Sequence, residues 1–334
     1  MNWLRDRAGL LAAGAAGAIL IAVIPAVTEI YVQFELTLFL IFAILALSLA
    51  WVWGFGGILS FGQSLFFGLG AYTFAVAVIN LEESTLPVLL GVLVPALLAG
   101  VLGYFLFWRR ISDVYLAVIT LAVSLIFYYL AGASAGSQYR IGAALLGGYN
   151  GIPSVPPINI PGAPDQPLVY GDLYILTAIV LAIVYGGLRW LLATDFGRVV
   201  VAIRENEERA QLLGYDVRMR KLAVFMIGGA IAGLAGVLFA AWGAYVSPNV
   251  FSMTFTAQII VWVLVGGLGT LSGAVLGCVL VQAVMTWLGE AKLADTNLIL
   301  GAGFVLLVLF ARRGLVPGLR DLLARIRPLG RDPR

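Results

Sequence analysis

The sequence predicts an all-α fold: a polytopic helical membrane protein with about ten transmembrane helices. Three observations carry this expectation. Hydrophobic residues make up 62% of the 334 and charged residues only 11%, whereas a soluble domain carries about a quarter charged residues. Mean hydropathy is +1.02. Apolar stretches recur with short breaks, and a hydrocarbon core of about 30 Å takes about 20 apolar residues per helix. So little polar area cannot cover a water-soluble globule, so lipid is the solvent. The 40 glycines suit helix backbones that pack closely in lipid.

The first apolar run, Ala8–Val27 behind Arg5 and Arg7, is long enough to span. It reads as a first transmembrane helix with a cytoplasmic basic flank rather than a signal peptide. The spans lie near 9–28, 36–53, 58–79, 86–107, 114–131, 173–192, 222–243, 257–270, 271–288 and 297–311. Val261–Val281 is interrupted by Gly266, Gly267, Gly269 and Gly273, which fits a hairpin, a re-entrant segment or one broken helix. Gly54–Gly70 carries the same ambiguity, and the stretches 54–70 and 265–280 look loosely alike. With no soluble domain in view, residues 1–334 form a single transmembrane domain.

Basic residues orient this layout, because cytoplasmic loops hold the Lys and Arg excess. An inside N-terminus places 18 of the 20 basic residues inside, and only Arg140 and Lys292 fall outside. Both termini are then cytoplasmic and the number of spans is even. Two loops stand out. Gly132–Asp172 is external and holds six of the thirteen prolines, so it is expected to be stiff, irregular and poor in apolar packing. Thr194–Lys221 is internal and basic.

Several chemistries are disfavoured. The one cysteine, Cys278, rules out an intrachain disulfide, and a thiolate metal site is not expected. No histidine is present, which removes the commonest general base and metal ligand. No metal site, cofactor or nucleic-acid partner is expected. Glu29, Glu35, Asp113 and Glu290 sit at span ends, so intramembrane charge of the kind ion-coupled transporters use is nearly absent. A phosphate-binding Gly-x-x-x-x-Gly-Lys-Ser/Thr loop is also missing.

The internal loop is punctuated as two short helices. Thr194 or Asp195 can cap the first, where Val199, Ala202 and Ile203 fall at helical spacing. A second runs from Glu205 or Asn206 to Leu213, with Asn206 as cap, Ala210 and Leu213 as its apolar side and Gly214 as its stop. Small apolar faces with charged flanks suit a groove on a partner; an ordinary charged connector fits the same pattern. In Gly54–Tyr72, Gly56, Gly57 and Gly62 loosen the helix, and Ser60, Gln63 and Ser64 bring hydrogen-bonding groups to membrane depth. Lining of a solute path and small-residue packing both explain that segment. The same two roles stand for Gly266, Gly267 and Gly269.

The segment Thr194–Leu222 resembles the cytoplasmic signature of the branched-chain amino-acid permease family of ATP-binding-cassette importers, specifically the LivM-type subunit. The similarity rests on Thr194, Gly197, Arg198, Ala202, Ile203, Arg204, Asn206, Glu207, Ala210, Leu213, Gly214 and Tyr215. Further similarity lies at Gly54–Ser64, Gly147–Gly151 and Val265–Gly277, so it spans nearly the whole chain. Gln63 departs from the pattern, since many relatives have histidine there. The resemblance implies a type II importer-like permease in a bacterial inner membrane, working by alternating access. It implies a coupling helix within Phe196–Leu213, which includes Glu205 and is flanked by Thr194, Asp195 and Gly214. It also implies a second, paralogous permease, two ATPase subunits that bind the ATP, and an extracytoplasmic solute-binding protein. Branched-chain or other hydrophobic amino acids are the implied cargo, with urea or short amides as the alternative. An ion-coupled secondary transporter is the competing class.

Overall fold

The computed structural model describes residues 28–109 and 111–291. The expected spans at 9–28 (save its last residue) and 297–311, and the basic clusters flanking them, lie outside the described residues. The other eight expected spans are helices. They are α1 (Ile30–Leu49), continued by a π-helical turn at Ala50–Phe55, α2 (Gln63–Leu81), α3 (Thr85–Trp108) and α4 (Asp113–Ala133). After a long loop come α5 (Gly171–Ala193), the short α6 (Asp195–Glu205) and α7 (Glu207–Leu212), then α8 (Val217–Gly243), α9 (Met253–Gly266) and α10 (Leu271–Ala291).

Seven of these segments are long and apolar enough to cross a membrane. Helix α9 is not among them. Its 14 residues rise about 21 Å at 1.5 Å per residue, short of a core of about 30 Å. The ambiguity at 261–281 therefore resolves as a helical hairpin. The α9–α10 turn passes through Gly267 and Gly269 at φ 107° and 81°, and the two helices approach so closely that a Cβ on Gly266 would enter the backbone of Gly273. The expected span 58–79 is also revised. Residues 56–62 are unwound, and α2 begins only at Gln63.

Helix α8 is the centre of the bundle. It packs on α1, α2 and α3 through small residues: a Cβ on Gly70 of α2 would strike the backbone of Gly233, and Gly229 faces Ala99 of α3. Without a hydrophobic drive between helices in lipid, such close van der Waals contact is what holds them together. Around these seams lie the fully buried Trp51, Phe66, Phe67, Phe74 and Phe225. The Trp51 indole N–H donates to the Val224 carbonyl at 3.0 Å, tying the π-helical turn to α8. Helices α4 and α5 turn apolar side chains outward, including Val118, Ile126, Ile183 and Trp190, as lipid-facing helices do.

The proline-rich loop forms one end of the molecule. It contributes to three antiparallel two-stranded ladders: β1 (Arg140–Ile141) with β2 (Ala144–Leu145), β3 (Ile152–Pro153) with β6 (Tyr245–Val246) from the segment after α8, and β4 (Asn159–Ile160) with β5 (Ala163–Pro167). The expectation of poor apolar packing is overturned here. Ile152, Val155 and Ile158 are buried, and Asn159 is exchanged with Ser84 through bonds of 2.8 and 2.9 Å. Prolines fix φ on either side of these aliphatic residues, so the chain holds them against the helix ends at little entropic cost. Helices α6 and α7 form the opposite end.

Candidate functional site

Local punctuation builds the α6–α7 element as the sequence implies. Thr194 Oγ1 accepts from the Gly197 N–H at 3.5 Å and donates to the Leu191 carbonyl at 2.6 Å, capping α6. Asn206 Oδ1 accepts from the Arg209 N–H at 2.8 Å and caps α7. Gly214, at φ 87°, ends it. Gly197 lies directly on the Leu191–Leu192 backbone, with no room for a Cβ at the α5–α6 corner.

The apolar faces are not open to a partner. Val199, Ile203 and Ala210 are buried together with Val217 in a small core of their own. Leu213 does not share the side of Ala210. It is 75% exposed beside Leu212 at 87%, and Tyr215 is exposed next to them. A helix of six residues has one inward face, and Ala210 occupies it. The open surface thus includes an apolar knob and charged or polar flanks, among them Asp195, Arg198, Arg204, Glu205, Asn206, Glu207, Glu208 and Arg209, with Ala202. The Arg198–Asp195 pair is highly exposed and adds little stability. Glu207 pairs with Lys221 of α8, tying α7 to the bundle.

Two residues of α6 reach across to α1. Phe196 stacks on Trp51 at 6.5 Å between ring centroids, with the Arg220 guanidinium 5.3 Å from its ring centroid. Arg204 Nη1 donates to the Gly54 carbonyl at 2.6 Å. Gly54, Gly56 and Gly57 therefore lie at the α6–α7 end together with the Gly266–Gly269 turn; a Cβ on Gly54 would stand 2.9 Å from the Gly269 nitrogen.

The remaining expected path residues meet at mid-depth. Link 56–62 climbs from the α6–α7 end to the start of α2, and link 244–252 descends from the strand-bearing end to the start of α9. The two helix N-termini converge on α4. Ser64 Oγ lies 2.9 Å from Ser124 Oγ and 2.6 Å from Thr256 Oγ1. Ser124 donates to the Phe251 carbonyl at 3.0 Å and Thr256 to that of Ser252 at 3.1 Å. Three hydroxyl protons thus serve four short contacts, so one contact always lacks a proton. Thr120 Oγ1 accepts the Phe61 N–H at 3.1 Å, and Ser60 Oγ accepts that of Gly62 at 3.1 Å. Gln63 Oε1 is 3.3 Å from Ser48 Oγ, while its buried Nε2 has no hydrogen-bond partner among the described residues.

Ser60, Gly62, Gln63 and Ser64 are all buried inside the chain. In this conformation they join helices. Sequence reasoning missed Thr120, Ser124 and Thr256. Thr120 and Ser124 stand four apart, on one face of an otherwise apolar helix, and that spacing was a readable signal.

A bundle of apolar spans, two helices that start at mid-depth and a short helical pair at one polar end define a multi-pass membrane permease. The chain belongs to the family described as branched-chain amino acid transport system / permease component, whose model matches residues 31–311. It is 30% identical over 320 residues to the high-affinity branched-chain amino acid transport system permease protein LivM of Escherichia coli (strain K12), covering 86% of this chain and 70% of that one. Similarity extends to a probable LivM of Methanocaldococcus jannaschii, 29% identical over 66% of this chain and 65% of that one. A probable LivH of the same organism is 28% identical over 44% of this chain and 47% of that one. No solved structure matches. These relatives are transport permeases, and this chain is a transport subunit rather than an enzyme.

Proposed function

We propose that the chain is one permease of an ATP-binding-cassette importer in a bacterial inner membrane, moving branched-chain amino acids inward by alternating access. Residues 1–334 then form a single permease domain. The α6–α7 end and both termini face the cytoplasm, and the 132–172 loop faces a solute-binding protein outside. A paralogous permease of the LivH kind pairs with it, which the similarity to a LivH relative supports. Two ATPases bind and hydrolyse the ATP. The links and turn carrying Gly56, Gly57, Ser60, Gly62, Gln63, Ser64, Gly266, Gly267 and Gly269 form the closing elements of the path, since unwound backbone at membrane depth is where a helix bundle reshapes at least cost.

The observation that carries this reading is the knob at the polar end. Leu212 and Leu213 are 87% and 75% exposed at a helix end bordered by charged side chains. A cleft of about 440 Å³ beside them is lined by Phe107, Glu208, Gln211 and Arg218. Leucines so placed at an aqueous surface suit the hydrophobic centre of a protein interface. The test is co-expression with the second permease, the ATPases and the binding protein, followed by reconstitution in vesicles. ATP-dependent leucine uptake is expected, and Leu213→Asp should cut ATPase co-purification at least tenfold. Uptake driven by an ion gradient without ATP would refute the class. Uptake of urea but not leucine would refute the substrate.

A further inference from the structure

We propose that Arg204 is a positioning residue that latches α6 to the ends of both mid-depth units, so that movement of the docked helices reaches the α1–α2 link and the α9–α10 hairpin together. The inference rests on the importer reading above and goes beyond it, because Arg204 bonds the Gly54 carbonyl of its own chain.

Four observations converge on this side chain. The carbonyls of Trp51, Val52 and Trp53 are taken by the N–H groups of Gly56, Ile58 and Gly57. The next carbonyl, Gly54, takes the Arg204 Nη1 donor at 2.6 Å. A cation also suits the negative end of a helix. The aliphatic stem lies on the first residues of the link: a Cβ on Gly57, where φ is 67°, would sit 2.8 Å from Arg204 Cγ. The hairpin turn completes the seat, since a Cβ on Gly269 would lie 3.4 Å from Arg204 Nη1. Glu205 holds the other side of the guanidinium, accepting from Nε at 3.2 Å and from Nη2.

The planar fork is therefore used on both edges. Lysine gathers its donors at one point on a flexible stem and does not reproduce this two-edged geometry. At the other end of α6, Phe196 rests on Trp51 of the same π-helical turn. The two anchors are about 12 Å apart along the helix axis, so α6 cannot tilt or slide without carrying the end of α1. Since the hairpin turn abuts Gly54, it moves as well.

The experiment compares wild type, Arg204→Gln and Arg204→Lys in the reconstituted full importer, reading leucine transported per ATP hydrolysed and the yield of assembled complex. Arg204→Gln should assemble at wild-type yield and lose at least fivefold in transport per ATP. Arg204→Lys should lose two- to fivefold. A wild-type ratio in Arg204→Gln overturns the latch, as does loss of ATPase co-purification from a stable permease, which would place Arg204 in the partner interface. Should Arg204→Gln not fold, a wild-type ratio in Arg204→Lys overturns the fork on which the proposal depends. Absence of ATP-dependent uptake in the wild type would instead defeat the importer reading.

Discussion

Links 56–62 and 244–252 do the same structural job by different means. Each carries the chain from one end of the molecule to the start of a helix at mid-depth, the first as unwound backbone and the second through β6 and a 3-10 turn at Pro248–Phe251, and the two arrive at the same hydroxyl cluster. The first is held by backbone bonds at its base, where Gly56, Gly57 and Ile58 donate to Trp51, Trp53 and Val52, and by side chains beyond it. Thr120 takes the Phe61 N–H, Ser60 takes that of Gly62, and Arg204 seats the glycines at its base. The second is held by backbone at its outer end, where β6 pairs with β3 in the register Ile152↔Val246 and Pro153↔Tyr245. Side chains act at its inner end, where Ser252 caps α9 and Ser124 and Thr256 donate to the Phe251 and Ser252 carbonyls. A link held by side chains responds to the elements that carry them; a link zipped into a strand pair follows the loop it is zipped to. The difference ties link 56–62 to the α6–α7 end and link 244–252 to the strand-bearing end.

The sharpest way to break this comparison is Thr120→Val. A nearly isosteric change leaves the partly buried Phe61 N–H unpaired, which costs about 2 kcal/mol. The melting temperature of detergent-purified permease should fall clearly, and an unchanged value would show that link 56–62 does not depend on α4. Ser252→Ala removes only a cap, worth about 1 kcal/mol, so its melting temperature should fall about half as far. A larger fall than for Thr120→Val would reverse the assignment of side-chain and backbone support. Gln63→Leu should have the smallest effect on stability, within about 0.5 kcal/mol, because its Nε2 already lacks a partner and an apolar replacement can be nearly neutral. It also separates the two roles of the segment: leucine uptake kinetics should change if Gln63 is exposed to solute during the cycle, and unchanged kinetics would confine it to helix packing.

Glycine content pointed to a different pair. Stretches 54–70 and 265–280 look alike in composition, yet one is an unwound entry to a helix and the other a tight helical hairpin. The true counterpart of link 56–62 is link 244–252, which contains no glycine. Glycine reports close backbone approach, and close approach serves hairpins, crossings and unwound links alike. What identifies the counterpart is where a chain re-enters a helix, and that depends on Phe251 and Ser252 meeting α4.

The sequence by itself determined the membrane class, the approximate placement of eight described helices, seven of them long enough to span, a first cap at Thr194 or Asp195 and a second at Asn206, the stop at Gly214 and the family. These are properties of composition or of contacts between residues a few positions apart, which periodicity and propensity report directly. Only the tertiary structure decided that Val199, Ile203 and Ala210 turn inward on Val217 while Leu212 and Leu213 stay outside. The same is true of Arg204 on Gly54, 150 residues away, and of Ser64 on Thr256, 192 residues away. Contacts at such separations are set by how whole helices cross, and no local pattern in an apolar chain records which faces will meet.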